Sequence, residues 1–511
     1  MTTQNDVQNV LDRIKTAQQK PLGDPRFNNR FGLEKNTDTF QESSSPTSGL
    51  TFYDLELGAK FLYPVLTPLR NTIPRVSGKG GIQASWRAVT AINTSGLRIG
   101  VSAANRGGVM AVSTQAYTAT YKGIGIETNV DFEAQYAGQG FDDIRAIGAK
   151  TGLEALMLGE EAMILGGCTS VPLGTTPTPT LTASTTGGTL AAQTWSVICA
   201  AMTLDGLMNG SIAGGVQGQI TRPNADGSSD TFGGGIAKPS ANATVATTGA
   251  TGSINASITP VIGALGYAWF WGPVGSEVLG AITTINSVII TGAATGTQFA
   301  SQLQVAGAYI DNSANALAFD GLIYQALIPG SGSYIYTMAS GTPGIGTPLT
   351  SDSAGGIIEI DTVLKHMWDN YRLSPDTMWV NSQEALNISR KILSGSQTAA
   401  QRFVFESSQD LVGGGIMVRT YLNRFSMQGG SVIDIRVHPN MPAGTILMTT
   451  KILPYPLAGV GNVVQIRTRQ DYYQIEWPLR SRRYEYGVYA DEVLQNFFPP
   501  SLALITNIGN G

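Results

Sequence analysis

The stretch FDDIRAIGAKTGLEALMLGEEAMILGG, Phe141 to Gly167, decides how the 511-residue chain is read. Asp142 and Asp143 open it, where carboxylates favour the positive end of a helix, and Gly166 and Gly167 stop it. The pattern predicts one long helix over 141–166. Asp143, Lys150, Glu154 and Glu161 recur at steps of seven, four and seven, which sets them on one narrow stripe. Leu153, Leu156, Met157, Met163 and Ile164 occupy the other sides. A helix so patterned is expected to be a central spine, buried around most of its circumference. The neighbouring pairs Asp142/Asp143 and Glu160/Glu161 point about 100° apart on a helix, so they cannot share a proton. They read as helix-end electrostatics and a solvated edge.

Upstream, Gly81 to Val130 is strand-like, with Trp86, Val89 and Ile92, then Tyr117, Tyr121, Ile124 and Ile126, in β-prone runs. Asn93 to Gly108 between them is polar and Gly-rich. The reading is a long two-stranded excursion, and because such a hairpin is marginal alone in water it is expected to lie on a partner surface. Pro64, Pro68 and Pro74 mark an extended strap before it. Residues 1 to about 50 are polar, with one short helical stretch at Val7 to Ile14. The first 35 residues carry six basic groups (Arg13, Lys15, Lys20, Arg26, Arg30, Lys35) against four acidic ones (Asp6, Asp12, Asp24, Glu34), a faint bias that reads as a solvated arm.

Downstream, Thr169 to Gln298 holds only Asp205, Arg222, Asp226, Asp230, Lys238 and Glu277 as charged residues, which marks a domain boundary. Its β-like runs, Trp195–Leu204, Ser253–Val261, Tyr267–Trp271 and Ala281–Thr291, suggest an antiparallel sandwich of immunoglobulin or fibronectin kind. The chain returns from it between Thr291 and Gly356. Beyond Gly356 the pattern is α/β: Ile360, Val363, Leu364, Met367, Trp368 and Tyr371 share a helix face, and Pro375 follows the stop. Met378 to Val380 reads as a strand, and Asn381 with Glu384 as a capping box for a helix carrying Ala385, Leu386, Ile388, Ile392 and Leu393. Further strands are expected at Ile416–Leu422, Ser431–Val437, Thr445–Thr450 and Val463–Pro478, before an apolar tail, Phe497 to Ile508.

Composition excludes several function classes. Charged residues are 13% of the chain against about a quarter in ordinary proteins, so much of the surface is Ser, Thr, Ala, Gly and Asn. The formal net charge of −4 leaves no global field for a nucleic-acid duplex. Cys168 and Cys199 are the only cysteines, too few for a disulfide framework or a zinc site, and read as buried thiols. No signal peptide or bilayer-length apolar run is present, and the expected compartment is a cytoplasm. Both histidines, His366 on a helix and His438 before Pro439 in a loop, read as surface or capping groups. The strings Gly78–Gly81, Gly233–Gly235 and Gly413–Gly415 complete neither phosphate-binding motif and read as turns. Asn93, Asn209, Asn242, Asn255 and Asn387 open glycosylation triplets by composition alone. Trp269 and Trp271 share a strand face, and core packing is favoured over stacking on sugars. Arg480, Arg482 and Arg483 with Glu476 and Glu485 could hold an anion, but the interleaved signs favour an intersubunit ion-pair network. No cofactor, metal or catalytic residue is expected.

The order of polar arm, β excursion, spine helix, α/β region and returning strands resembles the tailed-bacteriophage major capsid family with the Hong Kong 97 fold. Local wording agrees: PLRNTIPRVSGKGG (Pro68–Gly81), AANRGG (Ala103–Gly108), YKGIGIETNVDFEAQYAGQGFDD (Tyr121–Asp143) and EEAMILGG (Glu160–Gly167) look like that family's sequences, over about 1–168 and 315–511. The resemblance implies an α+β chain: an N-terminal arm over 1–70, extended loop and peripheral domain with spine helix over 71–168, an inserted immunoglobulin-like sandwich over 169–297, an axial domain over 298–465, and returning strands and tail over 466–511. ANALAFDGLIYQ (Ala314–Gln325) marks the return from the insertion.

It further implies a non-enzymatic shell subunit forming hexamers and pentamers around double-stranded DNA held by weak contact, in a virion capsid assembled in the host cytoplasm. Portal, scaffolding and decoration proteins are implied partners, and no membrane. Candidate intersubunit contacts are Arg70, Arg75, Arg87, Arg98, Arg106, Glu476, Arg480, Arg482, Arg483 and Glu485. Some capsids of this kind cross-link through a lysine in the extended loop. Gly81 to Thr120 holds Arg87, Arg98 and Arg106 but no lysine, with Lys79 and Lys122 at its base, so a non-covalent shell is expected. Competing readings are an encapsulin-like compartment shell, a carbohydrate-binding adhesin using the sandwich, and a hydrolase, which lacks any plausible base.

Overall fold

A computed structural model describes residues 62–92, 99–138, 143–394, 417–427 and 429–510. Residues 1–61 of the arm expected over 1–70, with its helix at Val7–Ile14, the loop residue Arg98, Asp142 and the string Gly413–Gly415 lie outside the described residues.

The helices, in chain order, are α1 (Pro68–Thr72), α2 (Phe132–Gly138), α3 (Ile144–Gly166), α4 (Leu204–Asn209), α5 (Leu322–Leu327), α6 (Ile358–Tyr371) and α7 (Ser382–Ser394). The first strands are β1 (Arg75–Ser77), β2 (Gln83–Ile92), β3 (Val112–Thr120) and β4 (Lys122–Asp131). A β-rich middle follows with β5 (Thr180–Ser184), β6 (Thr194–Met202), β7 (Gln219–Pro223), β8 (Ser229–Gly233), β9 (Ala243–Ala246), β10 (Ser253–Ser257), β11 (Gly266–Gly272), β12 (Val278–Thr283) and β13 (Ser287–Ile290). The last third holds β14 (Tyr334–Thr337), β15 (Thr377–Val380), β16 (Thr420–Asn423), β17 (Ser431–Val437), β18 (Ile446–Thr449), β19 (Val464–Glu476), β20 (Arg483–Asn496) and β21 (Leu502–Thr506). The chain is therefore mixed α+β.

Two compact units divide it: a smaller one of Met1–Leu66, Ile126–Ala155 and Gln474–Val488, and a larger one of Thr67–Gly125, Leu156–Tyr473 and Tyr489–Gly511. In the smaller unit Tyr486 donates its hydroxyl to the Arg145 carbonyl at 3.1 Å, and Phe132 stacks on Tyr484 with ring centroids 5.1 Å apart. Gly148 lies against Tyr486 and Gly152 against Thr128, so the first half of α3 uses glycines where a side chain would collide with its neighbours.

In the larger unit the low-charge segment forms two antiparallel sheets, β13-β10-β5 and β12-β11-β6-β9. Alternate residues of both meet in one core: Ile254, Ala256, Val288 and Ile290 from one sheet, Val197, Cys199, Tyr267, Trp269 and Trp271 from the other. The run Ala281–Thr291, expected as one strand, is two. β12 and β13 sit in different sheets, separated where buried Asn286 donates to Ser340 at 2.7 Å and takes the partner amide of Asn507 at 3.1 Å. A second cluster on the outer side of β6 and β11 takes in Ala300 and Leu303.

A six-stranded sheet, β14-β21-β18-β15-β17-β16, carries the α/β region. Ile360, Val363, Leu364 and Met367 of α6 and Ile388 and Ile392 of α7 pack on it. Arg372 ends α6 in the left-handed region at φ 54°. The apolar tail is not peripheral: β21 lies between β14 and β18, and Leu502 to Ile505 are fully buried. The expected capping box at Asn381 is corrected. Asn381 Oδ1 accepts the Gln383 amide at 3.0 Å, but Glu384 turns inward, is 0% exposed, and accepts the Gly444 amide at 3.1 Å.

Candidate functional site

β2 and β3 pair antiparallel from Gln83↔Thr120 to Ile92↔Val112, with a bulge between Val89 and Ala91. Ten residues of strand reach about 33 Å. Among the described residues its base is the anchored part: Ala84 is buried and Trp86 packs edge-on against Phe497 at 5.8 Å. Farther out the ribbon is bare, with Val89 60%, Ile92 62% and Val109 99% exposed. Arg87 donates to Thr114 across the ribbon at 2.7 Å, and Arg106 is exposed.

At the end of α3 the expected polar edge is overturned. Glu160 and Glu161 are 1% and 0% exposed. Thr67, the residue before α1, makes no side-chain cap, and Pro68 occupies the first turn. Glu161 supplies the missing acceptors, taking the Leu69 amide at 2.8 Å and the Arg70 amide at 2.7 Å. A carboxylate at a helix N-terminus answers both the unpaired amides and the helix dipole. His438, expected at the surface, is buried and corrects that reading. The Asn440 amide donates to its Nδ1 at 3.1 Å, so Nε2 carries the proton and donates to Glu161 Oε1 at 2.6 Å.

Glu160 binds both strap arginines. Arg70 Nε donates to Glu160 Oε2 at 3.1 Å and to the Tyr472 hydroxyl at 2.8 Å, and Tyr472 donates to Glu160 Oε2. Arg75 spreads one guanidinium over three acids: Nη1 on Glu160, Nη2 on Glu492 at 2.7 Å and on Asp471 at 2.7 Å. Arg75 also lies over the Tyr472 ring at 4.5 Å. Arg70 and Arg75, expected at intersubunit contacts, thus spend their donors inside the chain.

Sequence reasoning missed this cluster, although two acids inside the apolar run LMLGEEAMILGG were its one visible signal. In the smaller unit three residues of the cluster expected at intersubunit contacts bond partners outside it. Arg482 bonds Glu133 at 2.9 Å, Arg483 bonds Asp131 at 2.6 Å, and Glu476 bonds Arg145 at 2.7 Å, while Arg480 is exposed. Glu485 gives its carbonyl to the Trp477 amide at 2.9 Å.

Little here resembles a reaction centre. Among the described residues no group of three His, Cys, Asp or Glu is placed to hold a metal ion. Burial pushes the Cys168 thiol up to about 12 and the Cys199 thiol well above its usual range, which keeps both protonated. His366 stacks on Tyr334 at 4.0 Å, and burial lowers its pKa against the pull of Asp369. Trp269 and Trp271 are 0% and 6% exposed, which removes them as a sugar platform. No described helix is long and apolar enough to cross a membrane.

No family model and no curated protein matches the sequence. Among solved structures, the chain is similar to the capsid of a native GTA particle at 10% identity, covering 92% of this chain and 100% of that one with TM-score 0.41. It is similar to the capsid of Myoviridae phage XM1 at 10% identity, covering 91% and 97% with TM-score 0.36. The encapsulin of the holo-SrpI complex from Synechococcus elongatus PCC 7942 also matches at 10% identity, covering 88% and 92% with TM-score 0.36.

Proposed function

We propose that this chain is a non-enzymatic shell subunit of Hong Kong 97 type, the major capsid protein of a tailed phage, completed by binding copies of itself. The observation that carries the reading is the ribbon β2–β3, whose Val89, Ile92 and Val112 face solvent in the single chain. A two-stranded ribbon with bare apolar residues gains stability only against another surface, and in a closed symmetric shell each such contact repeats with every copy. Arg87, Arg106 and Arg480, which keep donors at the surface, are the arginines proposed for intersubunit contact. The two-sheet segment is proposed as an immunoglobulin-like insertion; hexamers and pentamers, portal and scaffolding partners and enclosed DNA complete the reading.

Negative-stain microscopy of the purified full chain tests it. Closed shells of uniform diameter are expected, and a monodisperse monomer at high concentration overturns it. Nucleic acid inside particles separates the capsid from an encapsulin-like compartment, which would hold protein.

A further inference from the structure

We propose that the two-sheet segment is fixed to the α/β sheet by the buried amide pair Asn286–Asn507 and is carried as one body with it, rather than hinged at its neck. The neck is where the chain leaves for the segment and returns, the two crossings side by side. Asp320 accepts the Thr169 amide at 2.8 Å and the Ser170 amide at 3.0 Å, and Asp311 accepts the Gly174 amide at 2.8 Å. Tyr324 of α5 donates its hydroxyl to the Gly263 carbonyl at 3.0 Å. The core between the two sheets and the core under α6 and α7 are separate clusters. Two cores joined at a neck alone are free to hinge.

The amide pair removes that freedom. It joins the turn between β12 and β13 to the residue that follows β21, and its members are 0% and 5% exposed. The Asn286 backbone amide donates to Asn507 Oδ1 at 2.9 Å, while Asn507 Nδ2 donates to Asn286 Oδ1 at 3.1 Å and to the Met338 carbonyl at 2.8 Å. Asn286 Nδ2 donates to the Ile258 carbonyl and to Ser340. Backbone groups therefore fix which end of each amide is oxygen, and every polar atom of both side chains has a partner. A shifted arrangement would leave buried amide groups unpaired, so the network specifies one orientation.

Neighbouring residues widen the attachment. Asn507 stands at φ 62°, in the left-handed region that asparagine adopts more readily than most residues. The Gly344 amide donates to Ser287 Oγ at 3.0 Å, and a Cβ at Gly344 would stand 2.8 Å from Ile289 of β13. The contact leads directly to β21, an inner strand of the six-stranded sheet. A displacement of the two-sheet segment is thus passed to β21 and not taken up at the neck.

Double electron–electron resonance on the dilute, unassembled full chain tests this, with spin labels on Thr244→Cys in β9 and Lys365→Cys in α6, both exposed positions. Cys168 and Cys199 are buried, so the labels go to the introduced cysteines. One narrow distance distribution is expected in the parent. Asn286→Ala and Asn507→Gly are each expected to widen it about twofold or more, with the far-ultraviolet circular dichroism of the parent retained. Ser340→Ala removes a single bond of the network and is expected to widen it less. A broad distribution in the parent, or an unchanged width in both asparagine variants, would overturn the proposal; should those variants not fold, an unchanged width in Ser340→Ala overturns it. The measurement needs no shell, so it stands or falls separately from the proposed function.

Discussion

His438 and Glu161, 277 residues apart in sequence, meet at 2.6 Å with neither side chain reaching solvent. The contact joins the loop after β17 to α3 and, through the other bonds of Glu161, to the first turn of α1. One carboxylate thus closes three distant segments.

Removing it should be costly. Glu161→Ala leaves two backbone amides and the His438 Nε2–H without acceptors, and the expected loss is about 3 kcal/mol or more. The urea midpoint of the full chain checks this; a shift equivalent to under about 0.5 kcal/mol, the range of ordinary surface changes, would show that the site does not hold the strap.

Glu384 gives the chain a pH-dependent stability. Burial pushes its carboxyl from 4.5 to about 7, with the Gly444 amide and Asn387 opposing. The folded state binds a proton that the unfolded state has released, so the stabilisation is fully present below pH 4.5 and lost as pH rises through about 7. The difference of about 2.5 between those values corresponds to about 3 kcal/mol. Denaturation midpoints measured across that window should decline in the native sequence and flatten in Glu384→Gln.

The ribbon should govern association without governing folding. Val89→Lys with Ile92→Lys alters side chains that are 60% and 62% exposed, so the subunit's own stability should move by no more than about 0.5 kcal/mol. Sedimentation should show loss of large particles. Intact shells in the double variant would refute the role given to this surface.

Covalent cross-linking through the ribbon is not expected. Gly81 to Thr120 contains no lysine, and Lys122 at its base gives its Nζ to the Ala316 carbonyl at 2.6 Å. Boiled, denatured particles should run as a single species of one subunit's mass; a ladder of multiples would contradict this.

The junction of α5 with α3 allows no side chain at Gly321. A Cβ there would stand 2.5 Å from the Met163 carbonyl oxygen and 2.7 Å from the Gly166 nitrogen, both backbone atoms. Gly321→Ala should therefore destabilise by about 2 kcal/mol or more, since backbone cannot step aside cheaply. Thermal unfolding of the variant beside the parent measures it.

Much of the architecture could be read locally. Apolar periodicity located α6 and β11, charge depletion located the two-sheet segment, and alternation over Gly81–Val130 located the ribbon, because each depends on residues within a few turns of one another. Sequence alone thus located these segments and marked the ribbon as wanting a partner surface, while the break between β12 and β13 and the place of the tail as β21 inside a sheet were not legible in it. Tertiary structure alone decided the fate of Glu160, Glu161, Glu384 and His438. Helical spacing can align a carboxylate with a polar stripe, but whether it meets water or a guanidinium depends on groups brought from far along the chain: Arg75 is 85 residues from Glu160, and His438 is 277 from Glu161. Desolvation and its compensation are properties of the assembled neighbourhood, and no short window of sequence contains them.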